Sequence, residues 1–65
     1  MNEVLVIIPT YNESENIIKI IEAIFSIHSD INVLVVDDNS PDGTSSKVKE
    51  VIPKFKGKLD LIKRG

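Results

Sequence analysis

The chain has 65 residues, of which 42% are hydrophobic and 28% charged, with a net charge of −2 and no cysteine. A chain of this length buries only about 60% of the surface its unfolded form exposes, so a stable domain is attainable but marginal without a further source of buried area. The charge argues against a dedicated nucleic-acid or anionic-membrane binder, and the missing cysteines remove disulfides and thiolate metal sites and fit a reducing compartment.

The first element is the run Val4 to Ile8, β-branched and apolar and closed by Pro9, which reads as a strand buried on both faces. It is far short of the ~20 residues a membrane helix needs, and Asn2 and Glu3 do not form the basic start of a signal peptide. The polar stretch TYNESEN follows as turn chemistry. From there Ile17, Ile20, Ile21, Ile24, Phe25 and Ile27 recur at three- and four-residue spacing, the apolar stripe of an amphipathic helix, and Asn12 with Glu15 offers a reciprocal cap for its first turn. His28 stands near the end of that helix with no second ligand at metal spacing and reads as solvated or facing the helix dipole.

The pattern then repeats. INVLVVDD, from Ile31, is a second short apolar strand, NSPDGT is a second turn, and Val48, Val51, Ile52 and Phe55 mark a weaker helical stripe that Pro53 ends or kinks. Lys47, Lys49, Lys54, Lys56 and Lys58 form a loose basic run that reads as a solvated face. LDLI, residues 59–62, is a third strand. Each gap between strands has room for a helix and no hairpin signal. The order β-α-β-α-β therefore predicts an α/β domain over residues 1–65, with parallel strands joined right-handedly.

Two adjacent carboxylates, Asp37 and Asp38, close the second strand, and a carboxylate at the edge of an apolar core is costly unless something hydrogen-bonding or cationic meets it. In open parallel sheets ligands bind outside the carboxyl ends of the strands, where both polar turns, PTYNE and DDNSPDG, are expected to converge. The chain has neither a Gly-x-Gly-x-x-Gly cradle nor a Gly-Lys-Ser/Thr triplet, so binding would have to be led by side chains.

IIPTYNESENI followed by VLVVDDNSPDGT resembles the start of the family 2 glycosyltransferases of the GT-A fold, and the dolichol-phosphate mannosyltransferase branch most closely. The resemblance covers nearly the whole chain and is more specific for the family than for the sugar. It implies the nucleotide-binding half of an incomplete GT-A (Rossmann-like) domain, as an N-terminal fragment. In it Pro9 and Tyr11 would flank the base of a nucleotide-sugar, Glu13 would bond the base or ribose, Val36 would contact the base through its backbone, and Asp38 would accept from the base N–H. Stacking area on an aromatic ring and a carboxylate accepting from ring N–H, which separates guanine or uracil from adenine, are consistent with this. Asp37 would face inward to hold the turn, and Asp42 and Gly43 would shape the loop, Asp42 as a helix N-cap.

Each of these residues also has a plainer reading. Asp37 and Asp38 would simply close a strand, Tyr11 would pack, and Asn12, Glu13 and Glu15 would be capping chemistry. A second family, the response-regulator receivers, also uses VLVVDDN, with the acidic pair binding Mg²⁺; there the pair lies on the first strand, whereas here a strand and helix precede it.

The resemblance implies transfer of a hexose, mannose from GDP-mannose first and a UDP-sugar otherwise, to a polyprenyl or dolichyl phosphate. It also implies a cytoplasmic location, with the full-length enzyme membrane-associated. Such enzymes use Mg²⁺ or Mn²⁺ on the diphosphate, held by a later Asp-x-Asp element. No Asp-x-Asp occurs in this chain, so no catalytic or metal residue is assigned here and the chain alone is expected to be inactive. In the family's fold the first three strands order 3-2-1 and a further strand pairs beyond strand 1. Without it, Val4 to Ile8 would be a bare apolar edge, which predicts a homodimer through strand 1.

Overall fold

The computed structural model describes residues 4–28, 30–55 and 57–65. Along the chain lie β1 (Leu5–Thr10), α1 (Ile17–Ile27), β2 (Asn32–Asp37), α2 (Thr44–Val51), a 3₁₀ turn (Ile52–Phe55) and β3 (Leu59–Lys63). The three strands form one sheet in the order β1-β2-β3, with β2 parallel to both neighbours. This is the incomplete parallel α/β half that the sequence predicts, with the expected strand order.

The register explains where the core sits. Val6, Ile8 and Thr10 of β1 lie beside Val33, Val35 and Asp37 of β2, which lie beside Leu59, Leu61 and Lys63 of β3. Because side chains alternate across a strand, these positions share one face. That face carries the core: Val33, Val35 and Leu59 are buried with Ile17, Ile21 and Phe25 of α1 and Val48 and Val51 of α2, while Val6, Ile8 and Leu61 pack on the cluster. Both helices cover the same face, as same-handed crossovers must when each new strand is added on the same side. At the end of the core farthest from the polar loops, Phe25 and Phe55 stack with centroids 4.4 Å apart.

The opposite face is bare, and this corrects the expectation that the first strand is buried on both faces. Leu5 and Ile7 are each 57% exposed and Ile62 is 49% exposed, with Leu34 and Val36 half-buried between them. A continuous β-branched run is the signature of a doubly covered strand, and this chain supplies a helical layer for one side only.

Three local expectations also change. Pro9 lies inside β1 rather than closing it. The Val4 carbonyl accepts from Asn32 of β2 and the Thr10 carbonyl from Asp38 just beyond it, so by alternation Pro9 turns its nitrogen to the free edge, the place in a sheet where a missing N–H costs no ladder bond. The helix α1 begins at Ile17 with Asn16 at its N-cap and no side-chain cap bond, so Asn12 and Glu15 do not form a capping box. The Glu13 carbonyl instead accepts from the Asn16 and Ile17 amides, at 3.0 and 2.8 Å, in a turn that leads into the helix. The N-cap of α2 is Gly43, not Asp42. Its φ of +84° is the left-handed region that glycine adopts without strain. Pro53 falls in the 3₁₀ turn just after α2 ends at Val51, as the rule against proline in a helix interior requires.

Candidate nucleotide-facing loops

The loops after β1 and β2 meet at the carboxyl end of the sheet, and two carboxylates hold them together. Asp37 is fully buried. Its Oδ1 accepts from the Thr10 hydroxyl at 2.9 Å and from the Ser40 hydroxyl at 2.5 Å, and its Oδ2 accepts from the Ser40 amide at 3.0 Å. Burial pushes the Asp37 carboxyl up, but the Ser40 hydroxyl and amide, the Thr10 hydroxyl and the charge of Lys63 together hold it below the ordinary carboxylate value. The buried acid is thus met chiefly by hydroxyl and amide donors rather than by a salt bridge.

Asp42 does similar work farther along the loop. Its Oδ1 accepts from the Thr44 hydroxyl at 2.5 Å and the Thr44 amide at 3.2 Å, and its Oδ2 accepts from the Ser14 amide at 3.1 Å. The Thr44 hydroxyl first, with the Ser14 and Thr44 amides, lowers its pKa to about 2 against a smaller opposing effect of burial. Asp42 therefore bonds the first amide of α2 although it stands one residue before the N-cap.

The result is a clasp on three successive amides of the first loop. The Asn12 amide donates to Ser40 Oγ at 2.9 Å, the Glu13 amide to Thr44 Oγ1 at 3.1 Å and the Ser14 amide to Asp42 Oδ2. Each hydroxyl both accepts from the first loop and donates to its own carboxylate, an arrangement in which successive bonds polarise one another. Lys47 Nζ adds a bond to the Ser14 carbonyl at 3.0 Å. Asn12 and Asn39 take positive φ, 56° and 57°, a region asparagine tolerates better than most residues.

The residues singled out from sequence fall around this clasp. Pro9 and Val36 are register partners on the bare face at the carboxyl end of the sheet. Just beyond them, the Asp38 amide donates to the Thr10 carbonyl at 3.0 Å, which sets Asp38 beside the start of the first loop. Tyr11 is 57% exposed and Asp38 is exposed, whereas Glu13 is half-buried. An open depression of about 460 Å³ lies beside the clasp, lined by Asn12, Ser14, Glu15, Asn16, Pro41 and Asp42. None of Pro9, Tyr11, Glu13, Val36 or Asp38 lines it, although its Asn12 and Ser14 flank Glu13 in the chain.

Thr10, Ser14, Ser40 and Thr44 are contributors that the sequence did not single out, and Lys47, expected only on a solvated face, bonds the first loop. For Ser40 and Thr44 a local signal was present, since a serine or threonine two or three residues after an aspartate in a turn habitually bonds it or its backbone, but which distant amide each hydroxyl meets is not a local property. Among the described residues no group of three or more His, Cys, Asp or Glu side chains is placed to hold a metal ion. Both Asp37 oxygens are taken by Thr10 and Ser40, so the adjacent pair does not form a two-carboxylate metal site. No helix of the described residues is long and apolar enough to cross a membrane.

A parallel α/β half-domain with side-chain-rich loops clasped at the carboxyl ends of its strands is the class of protein defined here, the Rossmann-like half of a GT-A fold. The sequence pattern of Glycosyl transferase family 2 matches residues 5–65, and the chain belongs to that family. This membership, over nearly the whole chain, decides against the receiver alternative. The chain is 49% identical over 47 residues to the polyprenol monophosphomannose synthase of Mycolicibacterium smegmatis, covering 72% of this chain and 18% of that protein. It is 42% identical over 59 residues to the dolichol-phosphate mannosyltransferase of Pyrococcus furiosus, covering 88% of this chain and 17% of that one. With the glycosyltransferase AglE of Haloferax volcanii it shares 47% identity over 62 residues, 91% of this chain and 19% of the relative. The chain thus spans about a fifth of the length of these relatives.

Proposed function

We propose that this chain forms the base-facing part of the donor site of a glycosyltransferase that moves a hexose, mannose from GDP-mannose, to a polyprenyl phosphate. The observation that carries the reading is the clasp: it holds the first loop against the second and leaves Tyr11 and Asp38 exposed together where the strands end. A carboxylate accepting from ring N–H favours guanine or uracil over adenine, and the mannosyl transfer named for two of the relatives favours a guanine nucleotide.

In the reaction, an oxygen of the acceptor phosphate attacks the anomeric carbon. A new C–O bond forms as the bond to the nucleotide diphosphate breaks, and the leaving diphosphate takes the electron pair. A divalent Mg²⁺ or Mn²⁺ ion would stabilise that leaving group when bound. The residues present do not fit such a site, so we assign the metal, the acceptor pocket and any association with the cytoplasmic face of a membrane to the full-length enzyme. At the N-terminus of α2 the first amide, that of Thr44, already donates to Asp42.

Titration of the ¹⁵N-labelled chain with GDP and UDP tests the reading. Millimolar affinity corresponds to about 4 kcal/mol, within reach of one stacked ring and one or two charge-assisted bonds. Amide shifts are expected at Tyr11, Glu13 and Asp38. Shifts confined to the region from Lys47 to Lys58 would mean nonspecific anion binding and would overturn it.

A further inference from the structure

We infer that Asp42 and Thr44 act as positioning residues for nucleotide selection: through the Glu13 and Ser14 amides they set where the first loop stands relative to Asp38. This rests on the donor-site reading above and goes beyond it, because neither side chain need touch the nucleotide.

The argument starts from what each bond fixes. Asp38 is tied to the end of β1 by its own amide, which donates to the Thr10 carbonyl, and the buried Asp37 anchors the turn beneath it. The position of Asp38 is therefore set by the sheet. The first loop is different: from Tyr11 to Asn16 it belongs to no strand or helix, and its Asn12 has a positive φ. Its place depends on bonds to the second loop. Ser40 holds the Asn12 amide and is itself anchored to Asp37, so that end follows the sheet as well. The Glu13 and Ser14 amides, by contrast, are held by Thr44 and Asp42, which sit at the start of α2. Thr44 is fully buried, and its hydroxyl accepts from Glu13 while donating to Asp42. Asp42 completes the ring by accepting from Thr44 with one oxygen and from Ser14 with the other. A group that accepts on both sides is required at position 42; an amide cannot supply it, because its NH₂ would meet the Ser14 N–H donor to donor.

The same titration, run on variants with GDP and with ADP, tests the inference. Thr44→Ser keeps the hydroxyl and is expected to bind as the parent chain does. Thr44→Val and Asp42→Asn are expected to weaken GDP binding by about tenfold or more and to bring the GDP and ADP affinities together, while the Ile21 and Val35 amide resonances stay in place. The Glu13 and Ser14 amides should also exchange faster with solvent in these variants. Folded Asp42→Asn and Thr44→Val chains that keep both the affinity and the preference for GDP would overturn the inference alone. Loss of fold in Asp42→Asn, an isosteric change at an exposed residue, would overturn it as well, by showing the link to be structural. Failure of the parent chain to bind GDP or UDP would overturn the donor-site reading and this inference with it.

Discussion

Thr10 Oγ1 donates to Asp37 Oδ1 at 2.9 Å, joining the last residues of β1 and β2, which are also partners in the strand register. Both side chains are buried, so the bond ties the carboxyl ends of the two strands together just where the loops leave the sheet. Asp37→Ala would strand the Thr10 hydroxyl together with the hydroxyl and amide of Ser40. An unsatisfied buried polar group costs about 1–3 kcal/mol, a large part of the ~5–15 kcal/mol that holds a typical domain folded. The variant is expected to lose most of its cooperative urea transition, whereas Thr10→Val should shift the midpoint by less.

Asp38, which we propose accepts from the base, differs from its neighbour Asp37. It is exposed, and the structure requires only its backbone amide. Asp38→Ala is expected to leave the urea midpoint close to that of the parent chain, since surface changes are usually within about 0.5 kcal/mol. It should also abolish the preference for GDP over ADP in the amide titration. A preserved preference would show that base selection lies elsewhere.

The stability of the chain should fall with acid in a defined window. The carboxyl of Asp42 is lowered from 3.8 to about 2 in the folded chain, and that of Asp37 is lowered as well. A carboxyl depressed by folding binds its proton more readily in the unfolded state, so its contribution is fully present above the unfolded value and is lost as the pH falls through the folded one. Unfolding free energy measured by urea should therefore hold nearly level above about pH 5 and decline between about pH 4 and pH 2. Asp42→Asn should flatten part of that decline. An unchanged slope would mean that Asp42 makes no such bonds in solution.

The chain by itself is expected to show no sugar transfer. In a radiolabelled assay with GDP-mannose, dolichyl phosphate and Mn²⁺, turnover by the 65-residue chain would overturn the assignment of the metal-holding residues to the rest of the enzyme.

Self-association through β1 remains our proposal, with its extent narrowed by the structure. The strand is an edge of the sheet and carries no charged residue, but Pro9 offers no N–H to a partner, so pairing is limited to the stretch from Leu5 to Ile7. Leu5 and Ile7 also open onto the bare face, whereas Val6 packs on the core. Ile7→Lys is accordingly the informative change, because a lysine at position 6 would damage the helical side. Sedimentation equilibrium should give a dimer at tens of micromolar for the parent chain and a monomer for Ile7→Lys. A folded parent chain that stays monomeric would show that the proline and the twist of the strand suffice to guard the edge.

Much of the architecture was legible before any coordinates. The isoleucine stripe from Ile17 to Phe25 and the apolar runs of the strands report periodicity, which is a local property, and the absence of hairpin signals left parallel crossovers as the consistent connection. The motif pair also marked the two loops that meet at the carboxyl end of the sheet. What the sequence alone determined, then, was the order of elements, their parallel connection and the end of the sheet where the two polar loops meet. Which face of β1 is covered was decided by the tertiary structure, because a β-branched run does not record how many layers pack against it. The bonds between the two loops were decided there too: Thr10 to Asp37, Asn12 to Ser40, Glu13 to Thr44 and Ser14 to Asp42 span 27 to 31 residues and form only once the two strands are in register. A hydrogen bond of that span depends on the whole fold having placed both ends, so no local pattern around Asn12 or Thr44 could have named it.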